Sequence, residues 1–252
     1  MTSAPAARTF EVRHLQLARA AIAAITAVMV TFSPDHSAAV GLAIFSGFAF
    51  LNALVLLIAS RTTYPAGRRW PAVTLGVLSA IAGLAAGIAQ LRTVPMFFVI
   101  VISWALATGI IETVAAARAL RGSRRIQTAD AARSESRDGL TIGILTIVLG
   151  IALLLVPTQY ALQYTIDEAD ATFTLTGIII AVGIFGGYAA IVAVYLAIAG
   201  FSPRKAIPAG GVDELGAAPT DRAPSAGQSP NASTGPAAAE PFRTANDKKG
   251  QA

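Results

Sequence analysis

Six apolar runs, each about as long as a bilayer is thick, alternate with short connections, and every second connection is crowded with arginine. The runs are Leu15–Phe32, Ala38–Ser60, Trp70–Leu91, Val94–Ala117, Leu140–Pro157 and Thr172–Phe201. A helix rises about 1.5 Å per residue, so roughly 20 apolar residues cross the hydrocarbon core. Helices are expected because each backbone group must find its partner inside lipid. Composition agrees: 54% of residues are hydrophobic and 13% charged, against about 25% charged in a soluble domain.

The charge distribution predicts orientation. Connections on one side carry Arg8, Arg13, Arg61, Arg68, Arg69, Arg118, Arg121, Arg124, Arg125, Arg133, Arg137, Arg204 and Lys205, whereas the other side carries Arg92. An excess of Lys and Arg marks the cytoplasmic face, so both termini are expected in the cytoplasm of a multi-pass plasma-membrane protein. The arginine loops suit anionic lipid headgroups. The net charge of +5 therefore points to the bilayer surface and not to nucleic acid.

The first run is the least apolar. It spans if Arg19 snorkels its guanidinium to the cytoplasmic headgroups. The competing reading is a cleaved signal peptide with Ser37-Ala38-Ala39 as its small-residue site; the repeat described below favours retention. Trp70 is expected to anchor at an interface and Trp104 to pack. The loop Thr158–Ala171 falls outside, with Asp167, Glu168 and Asp170 as a solvated acidic group and Tyr160 and Tyr164 in an aromatic belt. From Ser202 the sequence turns to Pro, Ala, Gly, Ser and Thr and cannot bury enough apolar surface to order itself. The expected organisation is all-α: a cytoplasmic segment 1–14, a six-helix transmembrane domain 15–201 and a disordered cytoplasmic tail 202–252. Three hairpins, at about 15–60, 70–117 and 140–201, make up the transmembrane domain.

Small residues repeat through these hairpins. The odd-numbered runs carry Ala20 and Ala27 then Pro34, Gly76 and Gly83 then Gln90, and Gly143 and Gly150 then Pro157. The even-numbered runs carry Gly41 and Gly47, Ser103 and Gly109, and Gly177 and Gly183. Seven residues make nearly two turns, so the odd-run pairs share a face. Small residues let helix backbones approach in lipid, where no hydrophobic force joins them. Gly83-x-x-x-Gly87 and Gly183-x-x-x-Gly187 are read as extending the same faces. The pattern Gly-x6-Gly-x6-Pro followed by a helix with spaced glycines, three times over, resembles the HdeD family of acid-resistance membrane proteins. The resemblance covers about residues 13–200 and is clearest at Gly143, Gly150, Pro157, Gly177 and Gly183. The chain departs from the pattern at Ala20, Ala27 and Gln90, with Pro95 displaced into the next run. The family implies protection against acid or other stress and supplies no catalytic residues.

The sequence offers no cofactor, metal or nucleophile constellation. Cysteine is absent, and His14 and His36 flank the first run at opposite ends, so they cannot share a metal. A non-enzymatic protein is expected. Glu112 is the one acidic residue within a run, and intramembrane ionisable groups are functional candidates. It is expected to snorkel or to meet Arg118, Arg121 or Arg61; the alternative is a proton or ligand site in a small-solute or proton transporter or channel. Asn52 is expected to hydrogen-bond between helices. Asp167, Glu168 and Asp170 are candidates for titration as the exterior acidifies. The oligomeric state is left open.

Overall fold

The computed structural model describes residues 12–64, 67, 69–125, 130–166 and 171–202. Six helices run α1 (Val12–Phe32), α2 (Ala38–Thr62), α3 (Trp70–Gly87), α4 (Val94–Arg125), α5 (Asp130–Leu154) and α6 (Gly177–Phe201). Each contains a stretch long and apolar enough to cross a membrane. The expected tail and the acidic residues Asp167, Glu168 and Asp170 lie outside the described residues.

Local chemistry sets the turns at the far end, away from the arginine-bearing connections. Ser33-Pro34 stops α1, since proline cannot continue the ladder. Asp35 accepts from the Ser37 backbone N–H and hydroxyl at 2.8 and 2.9 Å, and Ser37 in turn caps α2 by accepting from Val40 N. The second hairpin, with Gln90 in place of proline, turns through a 3-10 segment, Ala89–Leu91. Arg92, the lone cation of this side, donates to the α3 carbonyls of Ala86 and Gly87 at 3.4 and 3.2 Å. A cation there complements the negative end of the helix dipole.

The third turn, expected as a loop up to Ala171, carries two strands. Strands β1 (Ala161–Ile166) and β2 (Ala171–Thr176) pair antiparallel, Ala161 opposite Thr176. The sixth helix therefore begins at Gly177 and not at Thr172. Thr172, Phe173 and Thr174 are β-formers, and β1 satisfies their backbone, so they do not extend the helix. Gly177 sits where a Cβ would meet the Pro157 carbonyl.

The closest helix pairs are α2–α3, α4–α5 and α6–α1. Tight packing thus joins neighbouring hairpins and closes a ring through α6 and α1. The seven-residue pairs of the odd helices make these contacts. A Cβ at Gly76 would lie 2.8 Å from Leu57 Cγ, and one at Gly83 would lie 3.0 Å from Phe50 N, both on α2. A Cβ at Gly150 would lie 2.8 Å from Leu106 on α4. Gly143 and Gly109 face each other across α4 and α5. Gly41 fits under Val182 and Phe97. On the closing pair, Gly186 meets Val30 and Gly200 meets Leu17.

The six-residue pairs of the even helices behave differently. Gly47, Gly183 and Gly187 have open space where a Cβ would point. Six residues turn a helix through 600°, about 120° away from the starting face, so the partner of a packed glycine points outward. Burial shows the true register. Residues 56 apart match without a gap between the first two hairpins: Ala20 with Gly76, Ala23 with Ser79, Phe45 with Val101, Phe48 with Trp104 and Asn52 with Thr108. In the third hairpin the equivalents of Ser79 and Trp104 are Thr146 and Tyr188. Gly47 is equivalent to Ser103 and Gly187, and all three are exposed.

The core is aromatic on the even helices. Phe45 lies edge-on to Trp104 and Phe185 at 5.2 and 5.6 Å between centroids, and Phe48 does the same at 5.7 and 5.6 Å. Equivalent hydrogen bonds tie two of the hairpins internally: Trp104 Nε1 donates to Ser79 Oγ at 3.1 Å, and Tyr188 and Thr146 share a bond of 2.9 Å. The first hairpin has Ala23 and Phe48 at those positions and no polar atom to pair. Removing one such bond by Trp104→Phe or Tyr188→Phe should lower thermal stability by about 0.6–1.7 kcal/mol, the range of interhelical bonds in membranes. Thermal melting of the detergent-solubilised protein checks this. An unchanged melting temperature for both variants would show the bonds to be energetically idle.

Candidate functional site

The ion pair between Arg19 and Glu112 is the one salt bridge among the described residues. Arg19 Nη1 donates to Glu112 Oε1 at 3.1 Å, with the side chains 18% and 12% exposed. Arg19 is about 10 Å along α1 from Val12. Its guanidinium turns to Glu112 across the bundle, and Glu112 does not meet Arg118, Arg121 or Arg61. Both expectations weighed each helix alone. A charge that finds a counter-charge across the bundle avoids the cost of an unpaired ion in lipid without reaching water.

The repeat register makes the pair stand out. The positions equivalent to Arg19 are Leu75 and Ile142, and those equivalent to Glu112 are Leu56 and Leu196. One charge of each sign replaces an aliphatic residue in a layer otherwise filled by leucine and isoleucine. Arg19 Nε is buried without a hydrogen-bond partner, a state that costs about 1–3 kcal/mol.

A cavity of about 610 Å³ opens on the pair from the end where the arginine-bearing connections converge. The early turns of α1, α3 and α5 and the late turns of α2, α4 and α6 line it. Two further carboxylates face it. Asp138 accepts from Gln16 Nε2 at 2.9 Å and from Tyr195 OH at 3.2 Å. Glu135 accepts from Tyr64 OH at 3.0 Å. Trp70 and Arg118 also line it; Trp70 is about half exposed, as an interfacial anchor would be.

Burial and then the Glu135 carboxylate hold the Tyr64 hydroxyl above its ordinary range. The neutral phenol is thus the favoured form in the fold. Its stabilisation is fully present below about 10, the ordinary tyrosine value, and is lost as pH rises beyond that toward the folded value. Wild-type protein should therefore lose stability above that pH more steeply than Tyr64→Phe. Melting temperatures of the two across the alkaline range check this; parallel curves would contradict it.

Behind the pair lies a second, smaller cavity of about 20 Å³, walled by the polar groups of Asn52, Ser79, Trp104, Thr108, Thr146 and Tyr188, by Arg19 and Glu112, and by apolar side chains that include Phe48 and Leu75. A space of that size holds about one water. Asn52 donates to Phe48 O within its own helix at 2.9 Å, and not between helices as expected. An i−4 carbonyl is always within reach of a short polar side chain on a helix. Thr108 and Thr146 likewise bond to Trp104 O and Ile142 O. Phe48 forms part of that wall, and Phe45 and Phe185 lie against it toward the far end. The arrangement runs from an open vestibule to the ion pair, then to a small cavity of mixed lining, then to the aromatic cluster.

Of the sequence candidates, Glu112 and Asn52 come together here, both lining the smaller cavity. Gln16, Arg19, Tyr64, Glu135, Asp138 and Tyr188 join them and are not among the site residues the sequence points to. The signal for Arg19 and Glu112 was present, as charges at positions where the other two hairpins carry leucine or isoleucine. Gln16, Tyr64, Glu135 and Asp138 lie near helix ends and read as ordinary interfacial residues. Among the described residues no three of His, Asp and Glu are grouped to hold a metal ion.

Fold and site define an integral, multi-pass membrane protein with a cavity ending on a buried ion pair. No family model, no characterised protein and no solved structure matches the chain.

Proposed function

We propose that this is a non-enzymatic protein of the plasma membrane that binds or conducts a small solute or protons through the cavity ending on Arg19–Glu112. The observation that carries this reading is the replacement of two aliphatic positions by a buried charge pair facing an open cavity. Intramembrane ionisable residues of this kind mark ion and solute pathways. A cavity of several hundred Å³ with apolar walls and a few converging polar groups suits a small ligand. The arginine excess around the mouth supports placing it, and both termini, in the cytoplasm. The hairpins begin and end on one side, so their repeats are parallel and not inverted as in many carriers.

The resemblance of the hairpin pattern to the HdeD family favours acid or envelope stress as the setting. Proteoliposome flux of protons and small ions, with Glu112→Gln as control, tests the reading. Flux lost in the variant supports it, and absence of both flux and ligand binding overturns it. Survival of acid by a deletion strain tests the setting separately. Reporter fusions at the amino end and between residues 118 and 137 test the orientation; a signal from the exterior would reverse it.

A further inference from the structure

We infer that the vestibule is a binding site for a small zwitterion, its carboxylate on Arg19 and its ammonium on Asp138, with Glu135 one turn nearer the mouth. This rests on the reading of the cavity as a solute site and names the class of solute.

The argument is one of charges in order of depth. Arg19 bonds Glu112 through Nη1 alone, and its Nε is buried with no acceptor. A guanidinium grips a carboxylate with two parallel N–H groups, and here the Nε side of the fork is unused. Asp138 is held by Gln16, which precedes Arg19 by about one turn of α1 on the way to the mouth. Glu135 precedes Asp138 by about one turn of α5 and is held by Tyr64 beyond the end of α2. Both carboxylates accept from the neutral donors Gln16, Tyr195 and Tyr64, and neither forms a salt bridge among the described residues. Cationic demand therefore sits above the anionic demand at the floor: Asp138 is about one helical turn, roughly 5 Å, nearer the mouth than Arg19, and Glu135 about two turns, roughly 10 Å, with Arg118 on the opposite wall of the cavity.

A simple amine would answer Asp138 and Glu135 but leave the buried Nε without an acceptor, and would approach the Arg19 charge. A simple carboxylate could pair with Arg118 on the wall but would leave Asp138 and Glu135 without a cation. A molecule with both groups a few carbons apart meets each in turn, and the apolar stretch between them lies against walls such as Leu15, Leu75 and Ile142.

The test uses three four-carbon probes, 4-aminobutanoate, butanoate and butylamine, titrated against the purified full chain in lipid nanodiscs by calorimetry. Fluorescence of Trp70, on the cavity wall, serves as a second readout. The zwitterion should bind at least tenfold more tightly than either singly charged probe. Asp138→Asn and Arg19→Lys should each weaken it at least tenfold, with folding verified by circular dichroism and gel filtration. The wild-type comparison needs no variant to fold. Equal or tighter binding of butylamine or of butanoate overturns the inference. Absence of binding by all three overturns it as well; proton flux that still depends on Glu112 would then leave the broader reading standing.

Discussion

Replacing Glu112 with leucine while Arg19 remains is expected to destabilise the bundle by about 3 kcal/mol, and replacing both with leucine to restore or exceed wild-type stability. Removing one member of a buried pair strands the other and typically costs about 3–5 kcal/mol. The vestibule reaches one side of Arg19, so the lower end of that range applies. Replacing both charges with well-packed aliphatics is often neutral or stabilising by about 1–4 kcal/mol. The protein itself supplies the template. Leu75 and Ile142 fill the Arg19 position of the other hairpins, and Leu56 and Leu196 fill the Glu112 position. A double mutant as unstable as the singles would show that this layer is not interchangeable among hairpins. The same double mutant should abolish flux or ligand binding while it folds well. Stability and function would then part, which identifies the pair as kept for what it does and not for what it holds together.

Gly143→Val should be the most damaging single packing change, lowering stability by about 3 kcal/mol or preventing assembly. A Cβ there would collide with Thr113 Oγ1, lie 2.7 Å from the Thr113 backbone nitrogen and 3.0 Å from the Gly109 carbonyl. Two of the three obstacles are backbone, so no rotamer change relieves them and α4 and α5 must separate. Overpacking costs about 1–3 kcal/mol where side chains can yield, and here they cannot. In lipid the close approach of the two helices is itself the main source of their association. Gly183→Val and Gly47→Val are the controls, since both point into open space and should leave melting unchanged within about 0.5 kcal/mol. Thermal stability of the four proteins in one detergent decides the matter. A Gly143 variant as stable as the Gly183 variant would remove the close-packing account of the α4–α5 contact.

Both predictions depend on registering the three hairpins correctly, and here sequence and structure diverge. The seven-residue spacing of the odd helices returns to nearly the same face, so Gly76, Gly83, Gly143 and Gly150 could be placed at a contact from periodicity alone. The six-residue spacing of the even helices does not, and Gly47 and Gly183 were matched by resemblance of residue type. Burial aligns Gly47 with Ser103 and Gly187 instead, all three exposed. Small residues are common on lipid-facing and packed sides alike, so residue type cannot distinguish them. The β-hairpin was also illegible: Ala161–Ile166 and Ala171–Thr176 are short, and apolar periodicity over six residues does not separate a strand from the edge of a helix.

What the sequence determined by itself is the number of helices and their approximate ends. Those follow from one-body physics, the free energy of each segment in oil against water, which a chain carries residue by residue. The tertiary structure alone decided that tight pairs form between hairpins, with α6 closing onto α1. It alone brought Arg19 to Glu112, residues 93 positions apart, and left a cavity above them. Those are two-body facts. A charge in a membrane helix must find a partner or reach water, but which it does depends on the rotation of two helices against each other. That rotation is set by where glycines let backbones touch, and no single helix records it.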